Sequence, residues 1–200
     1  MDYINRSLEE SLIWLKENLN EERYEHSLGC ADCARNLARK YNLNEEKAYI
    51  AGLLHDCAKC FSYEKSVEIL NQTNLKVEEV ELNNRKTLHA PVSACIAKNT
   101  FGVTDEEILS AIRWHTLGKI GMTDFEKIIF LSDKIEERTR EYEHAQPIRN
   151  CLLEQNGLNK AILQCYKQTI KSLVDRNLTI HPLTIDIYND LQVLLSLNKV

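Results

Sequence analysis

The segment Ala51-Gly52-Leu53-Leu54-His55-Asp56 runs an apolar helix straight into a histidine and a carboxylate. An aspartate at the end of such a helix is costly to bury unless it is paired or bound to a metal. Adjacent helical positions point about 100° apart, so His55 and Asp56 reach one centre only if it lies between their bearings. Upstream, Asn44 with Glu45 and Glu46 has the form of a helix start, a capping side chain followed by acids in the first turn.

The same grammar extends in both directions. Ser7 and Glu10 form a capping box ahead of Leu8, Leu12, Leu15 and Leu19, an apolar stripe at helical spacing. Asn20 caps a helix expected to reach about Tyr41, and residues 62–72 read as a shorter one. The polar stretch 73–88 is expected to be a loop or a short helix, followed by a helix over about 90–100 with Gly102 near its C-terminus. Thr104 with Glu107 and Thr123 with Glu126 read as two more capping boxes, the first helix ending near His115 and the second carrying Asp133. Pro147 suits a first helical turn, and residues 157–175 and 183–197 read as closing helices. No alternating period, repeat or linker is visible. The expectation is a single all-α domain over 1–200, a bundle of seven to nine helices. Its metal-binding core would span about 20–140 and its closing helices about 145–200.

Composition agrees with a soluble globular chain: of 200 residues 44% are hydrophobic and 28% charged, with only 3 prolines and 6 glycines. The net charge of −5 argues against a surface that coats nucleic acid, since duplex binding needs clustered Lys and Arg. The first residues are acidic and carry no apolar run, and no stretch is long enough to span a membrane, so the cytoplasm is expected. Seven cysteines then read as reduced thiols. A homodimer is compatible with the sequence, which does not set the oligomeric state.

Of the 6 histidines, His26, His55, His89 and His115 fall in helices or at their ends. Asp133 repeats the anomaly of Asp56, a carboxylate between Leu131 and Ile135 in an apolar run. Singly, each histidine reads as an ordinary surface or hydrogen-bonded residue. Jointly, four imidazoles and two carboxylates exceed the four ligands of a closed structural zinc site and suit Fe, Mn, Zn or Ni at an open, catalytic centre. Gly29 and Gly52, three residues from His26 and His55, cost about 1 kcal/mol each in a helix, and close helix approach would account for them.

Cys30-x2-Cys33 and Cys57-x2-Cys60 offer a competing pattern, the paired spacing of a four-thiolate zinc site. Cys30 and Cys33 lie inside a helical run, however, where core packing is the better reading. His144 reads as exposed, and His181, before Pro182, as part of the last helix's cap.

The segments Arg23 to Gly29, Gly52 to Lys59, Leu88-His89-Ala90-Pro91, Ala111 to Gly118 and Ser132 to Glu136 with Arg138 together resemble the HD superfamily of metal-dependent phosphohydrolases. The fuller set is similar to its YqeK branch, the symmetrical bis(5′-nucleosyl)-tetraphosphatases of bacteria. Ser93 departs from the pattern where glycine is often found. The resemblance implies cleavage of diadenosine tetraphosphate into two ADP, with iron the favoured metal. It implies that His26, His55, Asp56 and Asp133 hold a first ion, which Asp56 shares with a second held by His89 and His115. Metal-acidified water attacking a central phosphorus is the expected chemistry. Asp56 and Lys59 would be catalytic, and Arg23, Lys59, Thr116, Gly118, Lys119 and Arg138 would bind phosphate. Two alternatives stay open: an HD phosphohydrolase for another nucleotide, whether a deoxynucleotide, a nucleoside monophosphate or a cyclic dinucleotide, and a non-catalytic metal- or nucleotide-binding protein.

Overall fold

The computed structural model describes residues 3–73 and 75–197, and among them the regular structure is entirely helical. Eleven α-helices follow one another. The first four are α1 (Leu8–Asn18), α2 (Glu21–Lys40), α3 (Glu45–Leu54) and α4 (Tyr63–Asn71). Next come α5 (Glu79–Leu82), α6 (Arg85–Asn99), α7 (Glu106–Trp114) and α8 (Asp124–Ile135). The chain closes with α9 (Tyr142–Cys151), α10 (Gly157–Asp175) and α11 (Pro182–Leu197). The count exceeds the expected seven to nine partly because the polar segment before His89 contains a one-turn helix, α5.

Capping chemistry sets most of the boundaries. Both bonds of the capping box form at Ser7 and Glu10, and again at Thr123 and Glu126. Asn20 and Asn44 accept the Arg23 and Lys47 amides. The box expected at Thr104 and Glu107 does not form. Asp105 is the cap instead, its carboxylate accepting the Glu107 and Ile108 amides at 3.0 and 3.2 Å while pairing with Lys47 at 2.7 Å. A carboxylate gains more at a helix N-terminus than a hydroxyl does. Pro147 corrects a second expectation. It lies inside α9, not in its first turn. Pro91, too, stands inside α6, which begins earlier than its sequence suggests and so carries His89 within a helix.

The core is built around α8, whose Ile128, Ile129 and Leu131 are fully enclosed by α2, α3, α7 and α10 together with Phe125, Ile108, Ile112 and Ile162. Helices α2 and α3 pack most closely. A Cβ on Gly52 would stand 2.7 Å from the Cys30 carbonyl oxygen and 2.9 Å from the Ala31 Cα, so only glycine allows this backbone-to-backbone approach. The tight crossing brings His26 of α2 and His55 at the end of α3 to the same place. Gly29 has a different reason, since a side chain there would collide with the Glu136 carboxylate.

Candidate metal centre

His55 and His115 are placed by the same device. Each is the C-cap of its helix, α3 or α7, and each donates its Nδ1 hydrogen to the carbonyl three residues back: His55 to Gly52 at 2.6 Å, His115 to Ile112 at 2.7 Å. These carbonyls lack partners at a helix end. A carbonyl can only accept, so both rings carry the proton on Nδ1 and present a bare Nε2 lone pair inward. Tight turns continue the chain beyond α3, with the Cys57 amide on Leu54 O and the Lys59 amide on Asp56 O. They swing Asp56 onto the same centre as His55, as two adjacent side chains require. Ser93 holds this turn from α6, its hydroxyl accepting the Ala58 amide at 3.1 Å.

His26 is oriented by a carboxylate. Its Nδ1 lies 3.0 Å from Glu136 Oε1 and its Nε2 3.0 Å from Asp133 Oδ1. Glu136 is fully buried just past α8 and closes the turn that follows, accepting the Arg138 and Thr139 amides and the Thr139 hydroxyl. That turn returns Arg140 to the site. His89, on the second turn of α6, sets Nε2 3.0 Å from both Asp56 Oδ1 and His115 Nε2.

The six side chains form one buried cluster in two lobes. His26, His55 and Asp133 gather with the Cys30 thiol on one side, and His55, Asp56 and His115 on the other, with donor atoms within 4.8 Å of one another in each lobe. Asp56 spans them. Its Oδ2 lies 3.7 Å from His55 Nε2, and its Oδ1 3.0 and 3.3 Å from His89 and His115 Nε2. Both His55 Nε2 and Asp56 Oδ1 are buried without a hydrogen-bond partner. Lone pairs converging on lone pairs in a dry interior are unfavourable, and a cation is what satisfies them.

Electrostatics suit that role. Burial pushes His55 down to about 3 and His89 to about 4 despite the nearby Asp56, so both imidazoles are neutral near pH 7. Burial also works against the Asp56 carboxylate. Asp56 is nonetheless held well below the usual range by its polar surroundings. At Asp133 burial is outweighed in the same way by Lys134, His26 and Arg140.

A pair of cations flanks each carboxylate. Arg23 Nη1 and Lys59 Nζ lie 3.5 and 3.7 Å from Asp56, and Lys59 also lies 3.0 Å from His89 Nε2. Lys134 Nζ and Arg140 Nη2 each lie 2.6 Å from Asp133. Thr116 Oγ1 sits 2.9 Å from His115 Nε2 and 3.1 Å from His89 Nε2. Three residues expected to bind phosphate stand elsewhere. Gly118 is a turn glycine at φ +75 under the Tyr166 hydroxyl. Lys119 pairs with Glu126 at 2.6 Å, and Arg138 with Glu25 and Asp32 at 3.0 and 2.8 Å on the surface. Lys134 and Arg140 stand beside Asp133 instead. The cysteines do not gather: Cys30 and Cys57 are buried in separate hydrogen-bonded settings and Cys60 is exposed. His144 is exposed, and His181 Nδ1 accepts the Leu183 amide at the start of α11.

This geometry is matched by the sequence profile of the HD domain, which covers residues 23–155 and therefore all six cluster residues. The chain belongs to the HD domain family. This HD domain is 37% identical to the symmetrical bis(5′-nucleosyl)-tetraphosphatase of Staphylococcus aureus, over 87% of this chain and 89% of that protein. It is 36% identical to the Bacillus subtilis protein of the same name, over 90% and 95% of the two chains. Its fold is shared with a crystal structure from Clostridium acetobutylicum, described as a predicted HD superfamily hydrolase involved in NAD metabolism. The TM-score is 0.88 and the identity 39%, over 94% of this chain and 98% of that one. The all-helical bundle and the buried His/Asp cluster are thus those of a divalent-metal HD domain.

Proposed function

We propose that this protein is a metal-dependent hydrolase that cuts dinucleoside tetraphosphates, diadenosine tetraphosphate foremost, at the middle of the phosphate chain to give two ADP. The observation that carries the reading is the buried lone-pair cluster with a cation pair at each of its two carboxylates. A tetraphosphate is a long anion, and Arg23 with Lys59 at Asp56 and Lys134 with Arg140 at Asp133 offer four cations to its phosphates. The similarity to proteins named for symmetrical cleavage supports the central cut.

In this reading His26, His55, Asp56 and Asp133 hold one divalent ion, and Asp56, His89 and His115 a second, with iron the first candidate for both. Bound there, such ions supply Lewis-acid charge and an acidified water. The protein's own groups do the rest. Gly52 O, Ile112 O and Glu136 keep three rings in the ligand tautomer. Lys59, between Asp56 and His89, neutralises charge that develops on the departing ADP oxygen as the bridging P–O bond breaks and the bond from water forms. Thr116, at the His89 and His115 nitrogens, orients a phosphoryl oxygen or the water. Arg23, Lys134 and Arg140 hold the chain in line.

A product profile tests this. With Fe or Mn, the protein should release ADP alone from diadenosine tetraphosphate. AMP with ATP in equal amounts rules out central cleavage, and metal retention without any product favours a binding protein.

A further inference from the structure

Lys134 and Arg140 do more than flank Asp133, since both also line one end of a cavity of about 330 Å³ between α9 and α10. That volume is at the lower end for small-molecule clefts. Ile148 and Leu173 give the groove an apolar lining, and its α10 wall carries Thr169 and Ser172, with Arg176 capping the helix at the same spacing. From Thr169 to Arg176 the helix advances about 10 Å at 1.5 Å per residue, the length scale of a nucleoside. The two walls are tied together, because the Gln168 amide donates to the His144 carbonyl at 3.2 Å across the groove. The groove is therefore formed before a ligand arrives.

We propose that this groove receives one nucleoside of the substrate, an inference that rests on the proposed function and names where its specificity is read. Charge falls off along it in the right order. Two cations stand at the metal end, where phosphates would lie, then come hydroxyls and apolar surface, then the exposed Arg176 at the far end. Hydroxyls of Thr169 and Ser172 can hydrogen-bond a ribose or a base edge, Ile148 and Leu173 offer contact to a ring, and a guanidinium stacks on base planes. An inorganic polyphosphate would use the cation pair and leave the groove empty.

The test is calorimetry on the full-length, metal-loaded protein with two probes, ADP and inorganic tripolyphosphate. Thr169→Trp and Ser172→Trp fill the groove from exposed positions of α10, and either serves if the other misfolds. In the variants the ADP dissociation constant should rise at least tenfold, while tripolyphosphate affinity and metal content stay at the wild-type level. Unchanged ADP affinity in both variants overturns the inference, as does an equal loss for both probes. If wild-type protein shows the groove-dependent ADP binding yet releases no ADP from diadenosine tetraphosphate, the function reading fails and the groove stands. If it releases ADP but the variants bind ADP normally, only the groove fails.

Discussion

Replacing Gly52 with alanine puts the α2–α3 crossing to the test. The added Cβ would stand 2.7 Å from the Cys30 carbonyl oxygen and 2.9 Å from the Ala31 Cα, both backbone atoms that cannot rotate away. Restoring ordinary contact near 3.4 Å requires the two helices to part by about 0.7 Å. Overpacking of this kind costs about 1–3 kcal/mol. Alanine regains about 1 kcal/mol of helix propensity. Because rigid backbone meets backbone here, the cost belongs at the upper end, and the net loss should be about 2 kcal/mol. In a domain of this size that lowers Tm by roughly 4–8 °C. The consequence for the site is sharper. His26 rides on α2 and His55 on the end of α3, and metal–ligand distances tolerate only about ±0.2 Å. Urea titration with and without metal reads both effects: the variant should be less stable in either condition and should gain less from added metal than the wild type does. An alanine variant as stable as wild type and equally stabilised by metal would refute the reasoning.

Other consequences follow from buried charges and thiols. Glu81 and Arg113 are almost fully buried and joined by two hydrogen bonds of 2.6 and 2.8 Å, so Glu81→Ala should cost about 3–5 kcal/mol in urea unfolding; a loss below 1 kcal/mol contradicts this. For Glu126, burial tends to raise the carboxyl, but Lys119, Ser110 and the Thr123 amide outweigh it and lower it. A group lowered on folding stabilises above its unfolded pKa and stops doing so as pH falls through the folded one. The stability gap between wild type and Glu126→Gln should therefore shrink from pH 7 towards pH 4, and widening on acidification would be the wrong sign. Burial pushes Cys57 and Cys165 up to about 12 and raises Cys30 well above the usual thiol range, whereas Cys60 is exposed. Alkylation of the native protein should label Cys60 first and leave those three untouched until unfolding, with no loss of metal; metal release on mild alkylation would revive a thiolate site.

The helices were readable because their caps are local: a side chain bonds an amide two or three residues on, as at Ser7, Asn20, Asn44 and Thr123. Where two capping residues compete within one step, as Thr104 and Asp105 do, spacing cannot choose between them and electrostatics does. The six cluster residues stood out because imidazoles and carboxylates sat where apolar side chains were due. Arg140 did not, since its approach to Asp133 depends on the turn that Glu136 builds beyond α8. Between a loop and a short helix at α5 the sequence could not choose for a related reason: the buried Glu81 is explained only by Arg113, 32 residues later.

The most direct test is metal analysis of the purified wild-type protein beside His55→Ala and Asp56→Ala, with ADP release from diadenosine tetraphosphate measured on the same samples. One or two ions per wild-type chain are expected, with metal and turnover lost together in both variants and most completely in Asp56→Ala, because Asp56 faces both lobes. An Asp56→Ala protein that keeps full activity after chelator treatment would contradict the account.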